Sequence, residues 1–490
     1  MKKVISHLEP TEVFQFFEIL SSIPRGSSHE QLVSDWFVKF AQERGYEVYQ
    51  DELYNILIKA PGTPGYENSP AVIFHGHMDM VCKKTADVEH DFLKDGLDLY
   101  IEDGYVRARG TTLGADNGIG ISYFLALLDS KDIPHPPIEM AITVMEEMGK
   151  VGGNGFHTEK LTGKRMLDMN WHMDDHILAG CGGDVSVKYS VKLDKEAKAA
   201  GAKLYNLDIY GLLGGHCEFD IVLERGNSIK LLARVLNNIL AATKDVRVAT
   251  ISGGVQNNVI PSEANAVLAV SDSELEAVKK VVADTFAEVS DEYSATDPDI
   301  KIELTDAKAD YAEVFKDGMT KKLVKSLLLL PNGVISMSFK IKGISECSNN
   351  IGIMTTEAEA VEIVSTITSC VTTRKHEVVK QMLALADLAG DGVTAEQFGT
   401  DAPEWIYNPD SYMLKIAKDA YKEATGEDPF IEVMPASLEL GLFQDRVPGL
   451  DIVSVGTVTH GVHTPSEELG IESVGKVWKI FKNMMRMLKD

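Results

Sequence analysis

The sequence predicts an α/β fold with a mostly parallel sheet, interrupted by a second domain of α+β type. Three observations predict it. Over the first 180 residues, short apolar runs rich in β-formers alternate with stretches of helical periodicity. From about residue 185 the strands instead alternate apolar and polar residues, as half-exposed antiparallel strands do. After about residue 400 the first pattern returns. The expected division is therefore 1–185 with 399–490 for one domain and 186–398 for the inserted one.

The elements follow in order. Val13, Phe16, Phe17 and Leu20, then Leu32, Trp36, Phe37 and Phe40, recur at helical spacing on either side of a Pro24-Arg25-Gly26-Ser27-Ser28 turn. Strands are expected at 46–50 and 53–60. Ala71-Val72-Ile73-Phe74 reads as a buried strand, a helix follows Gly118, and 138–144 reads as a second buried strand. In the insert, strands are expected at 185–191, 203–210, 264–270 and 301–304, with amphipathic helices near 226–243 and 273–291. A helix near 410–424, strands at 429–434 and 451–456 and a last helix near 470–488 complete the chain. There is no internal repeat and no low-complexity linker.

At 490 residues the chain exceeds what one core ordinarily organises. Its formal charge of -26 argues against a nucleic-acid partner, which requires a basic footprint. Glu9, Glu12 and Glu18 interrupt the first apolar run, so a helix is expected there and not a signal peptide. No stretch reaches the roughly 18 apolar residues of a membrane span. Cys82, Cys181, Cys217, Cys347 and Cys370 are odd in number and unclustered, as suits reduced thiols in the cytoplasm.

Ligands in α/β proteins bind at the carboxyl ends of the strands, and several of the expected strands end in metal-capable residues. One is His75-Gly76-His77-Met78-Asp79. Positions i and i+2 of an extended chain face the same way, so Asp79 can fix the imidazole of His77. Gly114-Ala115-Asp116-Asn117-Gly118 opens a helix, and alone it also reads as a helix cap. Glu146-Glu147 follows the second buried strand, where adjacent carboxylates require a compensating charge. Near the carboxyl end stands His460-Gly461-Val462-His463-Thr464-Pro465-Ser466-Glu467.

Together, in order and spacing, these segments resemble the zinc aminoacylase, carboxypeptidase and carnosinase superfamily of metallopeptidases. The resemblance is closer to its peptidase D branch, the aminoacyl-histidine (Xaa-His) dipeptidases. It extends to Ile23-Pro24-Arg25, Gly214-Gly215-His216, Arg225-Gly226-Asn227, Ser348-Asn349-Asn350 and Leu438-Glu439-Leu440-Gly441. It implies a zinc-peptidase catalytic domain, an inserted lid and dimerisation domain, a homodimer and a dipeptide substrate. It implies two Zn2+ per subunit, for which Co2+ or Mn2+ can substitute. Asp116 would bridge them, with His77 and Asp168 on one side and Glu147 and His463 on the other. Glu146 would be the general base for a zinc-activated water, with Asp79 supporting His77. His216 would face the oxyanion from a partner subunit. Arg374, Asn258 and Glu439 would stand on the substrate side.

The chain departs from the branch in four places. Around Asp168 it reads Met166-Leu167-Asp168-Met169-Asn170-Trp171-His172 where Leu-Asp-Ser/Thr-Glu is usual, which leaves His172, Asp174 and Asp175 as rival ligands. Pro435-Ala436-Ser437 replaces His-Ala-Gly, Cys217-Glu218 replaces Ser-Gly, and His75 occupies a place that is not usually histidine. His463 is preferred to His460 because it precedes the Thr-Pro-Ser-Glu run. The rival functions are an N-acyl amino acid deacylase, a non-catalytic binding protein on this fold, and a cysteine hydrolase using Cys82 or Cys217.

Overall fold

The computed structural model describes residues 3–339 and 341–489. Its principal elements are α1 (Thr11–Ser21), α2 (Gln31–Glu43), β1 (Glu47–Gln50), β2 (Ile56–Ala60), β3 (Val72–His77), α3 (Ala115–Asp129), β4 (Ile138–Thr143), β5 (Arg165–Trp171) and β6 (His176–Lys192). There follow β7 (Lys203–Tyr210), α4 (Ser228–Ala242), β8 (Arg247–Gly253), β9 (Ala264–Val270), α5 (Leu275–Glu292), β10 (Lys301–Asp306), α6 (Asp317–Leu329), β11 (Ser345–Thr356), β12 (Ala360–Ser369) and α7 (Thr372–Ala389). The last are α8 (Tyr412–Thr425), α9 (Glu439–Arg446), β13 (Asp451–Gly456) and α10 (Ile471–Met487).

The chain divides into two compact units. One takes the chain through Cys181, then Trp405–Met434 and the residues from Leu438 onward; the other takes Gly182–Glu404 with Pro435–Ser437. The α/β reading holds for the first unit. Its sheet runs β1-β2-β4-β3-β5-β13, and β6 begins beside β13. The central strands β4, β3, β5 and β13 are parallel, while β1 and β2 pair antiparallel. β3 and β4 are buried along their whole length, which is why they read as unbroken apolar runs instead of alternating ones.

Helix α3 is buried from Ala115 to Leu128. A helix that is apolar on all sides belongs in a core, and α3 occupies that place. Phe124 stacks on Phe74 of β3 at 4.5 Å between ring centres, and Phe481 of α10 stands 6.0 Å from Phe124. Each such ring contributes roughly 1.5–3 kcal/mol by burial. This packing fixes the start of α3, and hence Asp116, against the ends of the parallel strands.

The second unit is built on an antiparallel sheet, in the order β12-β11-β8-β9-β7-β10, with the later part of β6 beside β12. Alternating residues of β6, Val185, Val187, Tyr189 and Val191, enter its core. Helix α4 is capped by Asn227, whose side chain accepts from the Ile229 and Lys230 N–H groups. One turn later, the Lys230 ammonium donates to the carbonyls of Leu327, Leu328 and Leu330 at 2.7, 2.8 and 2.8 Å. It thereby satisfies the carbonyls that α6 leaves unpaired at its end, where a cation is also favoured by the helix dipole. Replacing Lys230 with methionine keeps the length but removes the donors. A loss of about 1–3 kcal/mol is expected in urea unfolding, with a T243A control near zero to 1 kcal/mol.

Candidate metal centre and active site

Parallel strands place their carboxyl ends on one edge, and several of the candidate site residues gather there. β3 pairs with β4 so that His77 lies opposite Thr143, the last residue of its strand. The chain beyond Thr143 turns through Met145, whose φ is 48°, and presents Glu146 and Glu147. At the start of α3, Asn117 packs over Gly76, where a Cβ would stand 2.5 Å from the Asn117 Oδ1. Any larger residue at 76 would push α3, and with it Asp116, off the strand end. His463 arrives from the far end of the chain on a loop in which its own φ is 65°.

These pieces form a cluster. The ligand-capable atoms of His77, Asp116 and Glu147 all lie within 4.8 Å of one another. His77 Nε2 is 2.9 Å from Asp116 Oδ1, and His463 Nε2 is 2.8 Å from Glu147 Oε1 and 3.4 Å from Asp116 Oδ2. Asp116 is thus central, with one oxygen toward each imidazole. His77 Nδ1 faces Asp79 Oδ1 at 3.3 Å. Asp79 in turn accepts from Ser27 Oγ at 2.8 Å and from the Glu146 and Glu147 N–H groups at 3.1 and 3.3 Å. One carboxylate therefore orients both the imidazole and the two glutamates.

The electrostatics follow from burial and pairing. Burial opposes charge on His77, but Asp116 and Asp79 hold its pKa well above the ordinary value. Hydrogen bonds to Asp116 and Glu147 raise His463 to about 10 against some burial. Burial works against the Asp116 carboxylate, yet His463 and His77 keep its pKa well below the usual range. Glu146 goes the other way: burial, with Glu439 and Glu147 nearby, pushes it up to about 8, while His77 and Lys150 oppose. Protons and divalent cations are alternative ways to balance such carboxylates. The donor set of imidazole nitrogens and carboxylate oxygens, with a carboxylate behind His77, fits a divalent metal such as zinc.

Asp168 is not brought into this cluster. It lies opposite His75 in the β3–β5 register, and its Oδ1 meets His75 Nδ1 at 2.9 Å. Its Oδ2 accepts from Ser454 Oγ and, at 3.1 Å, from the Asn170 N–H. On the other side of His75, Nε2 meets Glu439 Oε2 at 3.2 Å. Glu439 is 2% exposed and also accepts from Thr143 Oγ1 at 2.7 Å and the Gly153 N–H at 2.8 Å. Burial disfavours charge on His75, but Asp168 and Glu439 raise its pKa to about 9. His75 is thus a buried cation between two carboxylates, one layer beneath His77.

His216, Asn258 and Arg374 lie in the second unit. His216 pairs with Val259 in a short ladder, and its Nδ1 accepts from the Glu218 N–H at 3.3 Å. Cys217 N–H donates to the Asn258 carbonyl at 2.9 Å, so His216 and Asn258 are neighbours. Arg374, at the first turn of α7, pairs with Glu346 at 2.9 Å and is about half exposed. Burial raises the thiol pKa of Cys217 and of Cys82, which keeps both as poor nucleophiles.

Residues 73–487 match the family model for peptidase family M20/M25/M40. The chain belongs to this peptidase family. Family M20/M25/M40 peptidases are metal-dependent hydrolases of peptide bonds, in keeping with the cluster above. The chain is 34% identical over 483 residues to the cytosol non-specific dipeptidase of Escherichia coli, covering 98% of each chain. It is similar in structure to the aminoacylhistidine dipeptidase of Vibrio alginolyticus, with a TM-score of 0.90, 33% identity, and 99% and 98% of the two chains covered. The aminopeptidase PepT of Bacillus cereus shares the fold at a TM-score of 0.57 and 14% identity, over 99% and 100%. The resemblance read from the sequence is borne out.

Two residues that brace this cluster were legible only as parts of motifs. Arg25, buried, donates to the carbonyls of Met78, at 3.0 Å, and of Gly114, so it ties the His77 segment to the start of α3. Glu467, four residues beyond His463, accepts from the N–H groups of Leu113, Gly114, Ala115 and Asp116 at 2.8, 3.0, 2.9 and 3.4 Å. It acts as a helix cap supplied from about 350 residues away. Glu467→Ala leaves these donors unpaired. It is expected to cost at least about 2 kcal/mol in urea unfolding. It should also weaken metal binding about 10- to 100-fold in a competition titration with a chelating dye.

Proposed function

We propose that the protein is a dipeptidase that uses a divalent metal, in the first instance zinc, held by His77, Asp116, Glu147 and His463. The observation that carries this reading is the placement of Glu146. It stands beside the ligand cluster, fixed through its N–H by the same Asp79 that faces His77. A divalent metal held by these residues would supply Lewis-acid polarisation of the scissile carbonyl and a more acidic water. Glu146 takes the water's proton and delivers it to the leaving amine. Burial, with Glu439 and Glu147 nearby, raises its pKa, and a divalent cation would offset that cost. Beside Glu147 a pocket lined by Met80, Val81, Phe92, Leu93 and Met148 offers an apolar wall for a substrate side chain. The relatives named as dipeptidases, one non-specific and one acting on aminoacyl-histidine, support short peptides as the substrate class.

The same reading makes the second unit the lid and dimerisation element, with His216 acting on a partner's site and Arg374 and Asn258 contacting substrate. A cytoplasmic location is part of it, supported by the cytosolic relative. Among the described residues, no helix is long and apolar enough to cross a membrane.

Hydrolysis of a dipeptide panel that includes histidine at the second position should be abolished by chelation and restored by zinc. Glu146→Gln should lower kcat by at least about 10²- to 10⁴-fold while metal content is unchanged. Activity on N-acetylated amino acids with none on dipeptides would favour a deacylase instead. A mixing experiment tests the dimer. If His216 acts across the interface, reassociated H216A and E146Q chains should regain about a quarter of wild-type activity, because each mixed dimer has one intact site. Action within one chain predicts no recovery.

A further inference from the structure

We infer that His172, and not Asp168, supplies the further metal ligand beside Asp116, on the oxygen that His463 also approaches; the inference rests on the metal-peptidase reading above. Asp168 is committed elsewhere. Both of its oxygens are taken by His75, Ser454 and the Asn170 N–H, and it is 1% exposed. It pairs with His75, whereas His77 stands two residues beyond, about 6–7 Å nearer the strand end. Asp168 is therefore one layer too deep.

Beyond Asp168 the strand changes course. β5 and β13 are in register at Asp168 and Ser454, but the next pair is Trp171 with Gly456, so β5 carries one extra residue. Bulges of this kind re-aim side chains at strand ends beside active sites. Gly456 permits it, since a Cβ there would lie 1.6 Å from the Trp171 carbonyl oxygen. The Thr457 and Thr459 N–H groups then hold the carbonyls of Trp171 and His172 at 3.1 and 3.3 Å. The imidazole lies near the Trp171 ring, 24° from parallel.

The outcome is that His172 Nε2 stands 3.7 Å from Asp116 Oδ2, the oxygen that His463 Nε2 approaches at 3.4 Å. Both distances are near the spacing of roughly 3.3–3.5 Å between two ligand atoms on one tetrahedral zinc. The other rivals are engaged away from the cluster: Asp174 pairs with Lys476 at 3.0 Å and Asp175 with His176 at 2.7 Å. Replacing a carboxylate by an imidazole makes the donor set less anionic and richer in nitrogen. That favours zinc, cobalt or nickel over manganese or magnesium.

The test is binding of zinc and of cobalt to chelator-stripped protein, followed by calorimetry, metal analysis and the visible spectrum of the cobalt form. His172→Ala should lose one bound equivalent, or weaken one site at least about 10-fold, with a changed cobalt spectrum. His172→Asp should recover binding in part, because it restores a ligand atom. Asp168→Asn should keep the wild-type stoichiometry. His172 is about one-third exposed, so its removal should leave unfolding of the stripped protein unchanged. Wild-type binding and spectrum in H172A would overturn the inference alone. A wild-type protein that binds neither ion would overturn the metal-peptidase reading and the inference together.

Discussion

The structure turns on the compensation of carboxylates gathered at the ends of parallel strands. Asp79, Asp116, Glu147, Asp168 and Glu439 are all buried or nearly so within two layers of the same sheet edge. Placed so close in a poorly solvated region, they would repel one another by several kcal/mol if left alone. Each is therefore met by a fixed partner. In the outer layer the partners are His77 and His463, and a divalent cation would offset the same carboxylates. In the inner layer His75 is held between Asp168 and Glu439 and needs no metal.

This two-layer arrangement explains why remote segments converge. The outer layer needs Asp116 at the start of a helix, and that start is held by Arg25 from one side and Glu467 from the other. The inner layer needs Glu439 and Ser454, which come from the returning part of the chain. Neither layer is complete until residues on both sides of the insert have folded together. The carboxylate-bearing edge is thus a property of the whole first unit, and its rigidity comes from side chains that accept backbone N–H groups as well as from the core beneath.

Much of the architecture was legible in the sequence. Buried strands announce themselves by unbroken apolar runs, as at Val72 to Phe74, and α3 by apolar residues on all faces. His77 with Asp79 could be paired because two residues on a strand share a face. His463 was separable from His460 by the run that follows it. Glu439 was less legible: a glutamate in a motif does not reveal whether it faces substrate or, as here, accepts from Thr143 and Gly153 in the interior. Arg25 and Glu467 were visible only as motif members, since a side chain that serves backbone groups hundreds of residues away leaves no local pattern.

By itself the sequence determined the fold class, because periodicity is a local property, and the resemblance of its ordered motifs to a known family pointed to the residue types of the candidate metal cluster. Tertiary structure decided the depth and direction of each side chain. Asp168 and His172 lie four residues apart, and both are plausible ligands on paper. Register with His75 sends the first into the inner layer, and one extra residue against Gly456 turns the second toward Asp116. Register and bulges are set by pairing between distant strands, so no reading of one segment alone contains them.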